Sequence, residues 1–122
     1  MNAVSKSQPV AEEPNPAAVV QLYDTILLHV SRAGSAARKG DYQTQFDEVM
    51  KATRIVDGLN RHLDMEQGGQ VALNLRDMYQ AVSRTLLRSV GKDSAGDACD
   101  RLMEGLKGTR NAWAEISGMK LI

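Results

Sequence analysis

Cysteine, net charge and long apolar runs are all scarce in this sequence, and each shortage excludes a class of protein. The single Cys99 cannot form an internal disulfide, so the chain does not resemble a small secreted domain, and we expect a cytoplasmic protein. Fifteen basic residues balance fifteen acidic ones, which removes the electrostatic basis for binding nucleic acid. No apolar run approaches the roughly 20 residues that a membrane span requires, and we expect neither a leader peptide nor membrane insertion.

What the sequence does contain is a helical spacing of apolar residues that follows a polar start. Residues 1–15 include prolines and an acidic pair but few large apolar side chains, so we predict a disordered tail. From residue 16 onward, apolar residues recur every three or four positions in four successive segments. With 122 residues the chain has room for one domain, which we assign to residues 16–118.

Capping and turn residues separate the four segments. Asn15-Pro16 is a typical helix start, and Gly40-Asp41 ends the first helix and caps the second. Gly68-Gly69 lies at the second reversal, and Gly91 ends the third helix. Because these connections are short, we predict an all-α fold, an antiparallel up-down four-helix bundle.

Each predicted helix has an apolar stripe that we expect to face the core. The stripes of the second and third helices begin at Tyr42 and Val71, with Phe46 one turn after Tyr42. The stripe of the fourth helix ends at Trp113 and Ile116, and Trp113 is a predicted core anchor. Leu28, Leu73 and Leu87 lie off these stripes, so the pattern leaves open either scattered surface leucines or a binding surface.

The sequence offers little for catalysis or metal binding. A di-iron bundle needs Glu-x-x-His pairs, and neither His29 nor His62 has a glutamate three residues before it. We interpret His62 as a solvated residue near a helix end and Cys99 as a small buried hydrophobe. We therefore predict no metal site, no cofactor and no enzymatic activity.

His29 supports the one alternative function of a different class. A helical bundle with a histidine, a nearby basic residue and small residues resembles a histidine phosphotransfer domain. In that family a glycine directly follows the basic residue, whereas here Ala33 separates Arg32 from Gly34. The spacing favours a histidine at the edge of the core stripe of the first helix.

A series of short motifs resembles the flagellin export chaperone family, FliS. Each motif is weak alone, but their order and spacing around two predicted turns are specific, and together they cover residues 16–116. The motifs are Leu22-Tyr23-Asp24, Gly40-Asp41, Leu63-Asp64 followed by Gly68-Gly69, Asn74-Leu75 with Met78-Tyr79, and Ala112-Trp113. Two departures are Thr25, where the family usually has glycine, and the absence of a tyrosine before Tyr23.

The resemblance implies a function and a site. Members of the family are cytoplasmic helical bundles that bind the disordered C-terminal segment of flagellin and prevent its polymerisation before type III export. Contact with the flagellar export gate, a homodimer formed through the client surface, and a different secretion client are open alternatives. The candidate client-binding residues are Tyr23, Leu27, Leu28, Leu73, Tyr79 and Leu87.

Overall fold

The computed structural model describes residues 15–122, and within that range the chain forms four helices. These are α1 (Pro16–Arg38), α2 (Tyr42–Arg61), α3 (Gly69–Ser89) and α4 (Ala95–Ile116). Each helix packs against the next, and α4 closes the bundle against α1. The predicted all-α four-helix bundle is confirmed, while the predicted tail, apart from Asn15, lies outside the described residues. None of these four helices is long and apolar enough to cross a membrane.

Local sequence signals account for the helix ends. The Asn15 side chain accepts a hydrogen bond from the Ala18 amide at 2.8 Å, as predicted for a cap. α1 ends where Gly40 adopts a left-handed φ of +75°, and the Asp41 amide then donates back to the Ala36 carbonyl at 2.9 Å. The Ala36 carbonyl also accepts from the Lys39 amide at 3.1 Å, so two amides close the end of the helix on it.

α1 contributes more buried apolar residues to the core than any other helix, and Val20, Ile26 and Val30 are fully buried. Tyr23 on α1 and Tyr79 on α3 are buried with them, and their hydroxyl groups share a hydrogen bond of 2.7 Å. α1 and α3 are not neighbours in the bundle, so this pair joins two helices across its interior.

α1 and α4 approach each other closely because small residues face each other. A Cβ added to Gly34 would lie 3.0 Å from the Cβ of Cys99, closer than side chains normally pack. Arg38 lies over Gly96 and reaches Asp97 at 3.1 Å. Cys99 is buried, as predicted, and burial raises the pKa of its thiol.

The predicted stripe of α2 is wrong at its beginning. Tyr42 and Phe46 are exposed, and Gln45 is buried in their place. The side-chain amide of Gln45 donates to the backbone carbonyl of Ser89 at 3.1 Å, and its oxygen accepts from the backbone N–H of Gly91 at 3.0 Å. The interior therefore holds a polar residue here because it satisfies the end of another helix, a requirement that the periodicity of α2 does not record.

The predicted stripes of α3 and α4 also fail at their ends. Val71 and Ile116 are exposed, whereas Ala72 is buried. The rest of the α3 stripe is as predicted, since Val82 and Leu86 are buried and Leu75 and Met78 pack on the core. Trp113 is half-buried and packs on the core rather than filling it.

Candidate binding groove

A groove of about 670 Å³ runs along the surface between α1 and α4. Leu27 and Leu28 line it from α1 and Met103 from α4. Leu28 is 46% exposed, although leucine is a residue that folding normally buries. The full lining set is Asp24, Leu27, Leu28, Ser31, Asp100, Met103, Glu104, Lys107 and Ile122.

The groove lies between the same two helices that pack closely at Gly34 and Cys99. Gly34 leaves no room for a side chain against Cys99, whereas the longer side chains of Leu27, Leu28 and Met103 line the groove. Two consecutive leucines on α1 cannot both point into the core, because neighbouring helical positions are about 100° apart. The result is an apolar depression that is accessible from solvent.

Charged side chains around the groove are neutralised by partners. Asp100 accepts a hydrogen bond from Arg38 at 2.9 Å, and Glu104 lies 3.7 Å from the ammonium group of Lys107. These pairs are exposed and add little to stability. Their consequence for binding is that neither sign of charge dominates the groove, so a ligand would gain mainly from apolar contact.

A more buried ion pair lies at one end of the groove. Arg110 on α4 donates to both carboxylate oxygens of Asp24 on α1, at 2.8 Å and 3.2 Å. The Arg110 side chain is only 6% exposed, and its hydrogen bond to Asp24 raises its pKa. Asp24 belongs to the Leu22-Tyr23-Asp24 motif, in which Tyr23 bonds within the core and Asp24 fixes α4.

The chain continues beyond the predicted domain end and turns back onto α4. We call residues 118–122 the return segment. Arg110 donates to the Lys120 carbonyl at 2.6 Å. The Asn111 side chain accepts from the amide of Ile122, the last residue, at 3.1 Å and donates to its main-chain oxygen at 3.0 Å. Ile122 lines the groove as a result. Periodicity could not reveal this segment, because its bonds are made through its backbone.

The six predicted client-binding residues do not form one site. Tyr23 and Tyr79 are interior residues, and burial raises the pKa of both hydroxyl groups. Leu27 and Leu28 lie in the groove. Leu87 is exposed and Leu73 half-buried, and both are on α3, outside the groove.

His29 pairs with a glutamate that sequence reasoning did not single out. Its Nδ1 atom lies 2.7 Å from Oε1 of Glu48, and both side chains are largely buried. Burial alone raises the pKa of Glu48, but the hydrogen bond and charge of His29, aided by Lys51 and Arg32, outweigh it and lower that pKa. Because the imidazole is largely buried and paired within the bundle, we interpret His29 as a structural residue at the edge of the core.

The two remaining candidates, His62 and Cys99, make only contacts that belong to the fold. His62 is exposed, and its Nδ1 atom lies 2.8 Å from the Gly58 carbonyl. Cys99 has Gly34 as its close neighbour across the α1–α4 contact. In residues 15–122 no three histidine, cysteine or acidic side chains are grouped so that they could hold a metal ion.

Comparison of the sequence with known proteins finds a matching family model and similar relatives. The family model described as "Flagellar protein FliS" matches residues 1–120. The chain is 31% identical over 100 residues to the flagellar secretion chaperone FliS of Salmonella typhimurium, an alignment that covers 81% of this chain and 73% of that protein. It is 31% identical over 115 residues to the flagellar secretion chaperone FliS of Campylobacter jejuni, covering 94% of this chain and 88% of that protein.

Proposed function

This chain belongs to the FliS family of flagellar secretion chaperones, and from that membership we propose that it is a cytoplasmic chaperone for flagellin. In this proposal it binds the disordered C-terminal segment of flagellin, prevents premature polymerisation, and presents the client to the flagellar export gate. It acts by binding rather than by catalysis. Family membership is the single observation that carries the proposal.

The groove between α1 and α4 supports the proposal physically. Leu27, Leu28 and Met103 provide an apolar surface on which an amphipathic client segment could bury its own apolar side chains. A disordered client loses conformational entropy when it binds, and burial of apolar surface offsets that cost. Calorimetry should therefore record a negative heat-capacity change on binding.

We assign α3 a second contact with the same client. Leu87 is exposed on α3, and the half-buried Leu73 lies on the same helix, away from the groove. A client that wraps around the bundle reaches both surfaces with one chain. Analytical ultracentrifugation of the mixture distinguishes the expected one-to-one complex from a complex that contains a chaperone homodimer.

The test is titration of the chain with the C-terminal segment of flagellin, using a matched pair of variants. Leu28 and Phe46 are almost equally exposed, at 46% and 45%, but only Leu28 lines the groove. Leu28→Asp should weaken binding roughly tenfold or more, because a carboxylate replaces buried apolar surface. Phe46→Asp should leave the affinity near that of the parent.

Two outcomes would contradict the proposal. If the parent chain binds no flagellin segment at micromolar concentrations, the client assignment is wrong. If Leu28→Asp and Phe46→Asp weaken binding equally, the client does not use this groove. Circular dichroism of both variants shows whether the bundle remains folded, which is expected because both side chains are about half exposed.

A further inference from the structure

We propose that the return segment, residues 118–122, occupies part of the client groove in the free chaperone, and that an extended stretch of the client displaces it. The inference rests on the proposed function, because the client is the competing ligand. It assigns Asn111 and Arg110 a role as a docking site for peptide backbone that is used first by the chain itself and then by the client.

The hydrogen bonds of the return segment have the pattern of an extended peptide on a strand edge. In an extended chain, the amide and carbonyl of one residue point to the same side, and residues i and i+2 share that side. Arg110 binds the carbonyl of Lys120, and Asn111 binds the amide and a main-chain oxygen of Ile122, the last residue of the sequence. The three bonds therefore recognise alternate residues through main-chain groups alone.

Main-chain recognition does not depend on the sequence of the bound peptide. The Asn111 side chain presents an N–H donor and an oxygen acceptor to the main chain of Ile122, and its oxygen also accepts from Nη1 of Arg110 at 3.2 Å. Arg110 is held in position by Asp24, which leaves its Nη1 atom directed at the bound chain. A client segment that follows the same path would satisfy the same atoms.

The return segment is held weakly enough to be displaced. Ile122 lines the groove, yet it is 58% exposed, and Leu121 beside it is exposed as well. The segment therefore gains little from apolar burial, and most of its attachment comes from a few hydrogen bonds. A client that buries larger apolar groups against Leu27 and Leu28 would make the same bonds and bind more strongly.

Two variants of the full chain test the competition by weakening the return segment. Ile122→Ser removes its apolar contact with the groove. A chain that stops after Met119 removes residues 120–122 but keeps the bond of 2.8 Å from the Met119 amide to the Ala114 carbonyl, which completes the end of α4. The shortened chain should bind the flagellin segment more tightly than the parent, by roughly three- to tenfold, because less of the free chaperone is self-occupied. Ile122→Ser should have a smaller effect in the same direction, because it removes only the apolar contact and keeps the backbone bonds.

The role of Asn111 is tested in the shortened chain, where no return segment competes. There, Asn111→Ala should weaken client binding, because the client has taken over both bonds. Leu121→Ser in the full chain is the matched control, since Leu121 is exposed and its backbone is not one of the groups bound by Arg110 or Asn111. It should change the affinity little.

Amide hydrogen exchange reads the displacement directly. The Ile122 amide donates to Asn111 in the free chain and should exchange faster when the client is saturating. The competition is refuted if the parent binds flagellin, Ile122→Ser and the shortened chain bind it no more tightly, and the Ile122 amide of the parent stays protected in the complex. The chaperone role would then still stand. If no variant binds flagellin, the proposed function itself fails.

Discussion

The two surfaces by which α4 meets its neighbours are built differently. The α1–α4 contact is close and includes Gly34 against Cys99, with the ion pair Asp24–Arg110 further along. α3 and α4 share the least extensive contact of the four neighbouring helix pairs, and a cavity of about 210 Å³ lies between them. Among residues 15–122, no ion pair joins α3 to α4.

The difference shows how a small bundle can be both stable and adaptable. α4 is attached to the rest of the protein mainly through α1, so the α3–α4 side can deform at lower cost. Residues along that side are small or flexible, including Ala81, Met78 and Gly105. The groove proposed for the client therefore lies on the more extensively packed side of α4.

The same substitution placed on the two sides should have opposite effects. Gly34→Leu should lower the free energy of unfolding by about 3 kcal/mol, because even its Cβ would meet Cys99 at 3.0 Å. Gly105→Leu should raise it by up to about 1 kcal/mol, because the added side chain meets open space and glycine is a poor helix former. Urea denaturation measures both. Equal losses would mean that the α3–α4 side is as tightly packed as the other.

Removal of one tyrosine hydroxyl tests the link across the interior. Tyr23→Phe should lower the free energy of unfolding by about 1–2 kcal/mol, because it leaves the buried hydroxyl of Tyr79 without its partner. The double variant Tyr23→Phe with Tyr79→Phe should recover part of the loss, since no lone hydroxyl remains. A double-mutant cycle from thermal unfolding gives the coupling, and additive losses would show that the two hydroxyls do not support each other.

The contact between α1 and α2 contains the His29–Glu48 pair, and its contribution to stability should depend on pH. The pKa of Glu48 is lower in the folded chain than its ordinary value of 4.5, so its ionised form stabilises the fold above that value. This contribution is lost as the pH falls through the folded pKa. Glu48→Gln should therefore reduce the loss of stability between neutral and strongly acidic pH. Chemical denaturation at a series of pH values measures this loss. If the variant and the parent lose the same free energy of unfolding at acidic pH, Glu48 does not contribute to the pH dependence.

The smallest effect is expected at the exposed end of the α1–α4 contact. Arg38 bridges Asp97 and Asp100, but all three side chains are exposed to solvent. Solvent and salt screen such pairs, so Arg38→Gln should shift the melting temperature little, and the shift should shrink further in high salt. A large shift would show that the cover of Arg38 over Gly96 contributes more than the charges do.

The helix boundaries could be predicted from sequence because the signals are local. Asn15, Gly40 and Asp41 perform the roles that their residue types suggest, since a cap or a left-handed turn depends on a few neighbouring atoms. The predicted exposure of Leu28 and Leu87 is also confirmed, because both lie well away from the stripe of their helix.

The interior polar groups could not be predicted, because their partners come from other helices. Gln45 and Arg110 interrupt the apolar face of their helices, and only the tertiary structure shows that Ser89 and Asp24 satisfy them. The return segment was missed for a related reason, since its backbone bonds leave no side-chain pattern. A sequence search for these features would have to pair a buried polar position on one helix with a complementary one on another.

Because Cys99 is buried where α1 and α4 meet, its reaction with a thiol reagent can report the separation of these helices in the native protein. A thiol reacts only as the thiolate and only when a reagent can reach it, and Cys99 is buried against Gly34, with its pKa raised. Since it is the only cysteine in the chain, the rate of labelling by a thiol reagent reports how often α1 and α4 part, with no engineered probe. Bound client that clamps these two helices should slow that rate, whereas client held elsewhere should leave it unchanged.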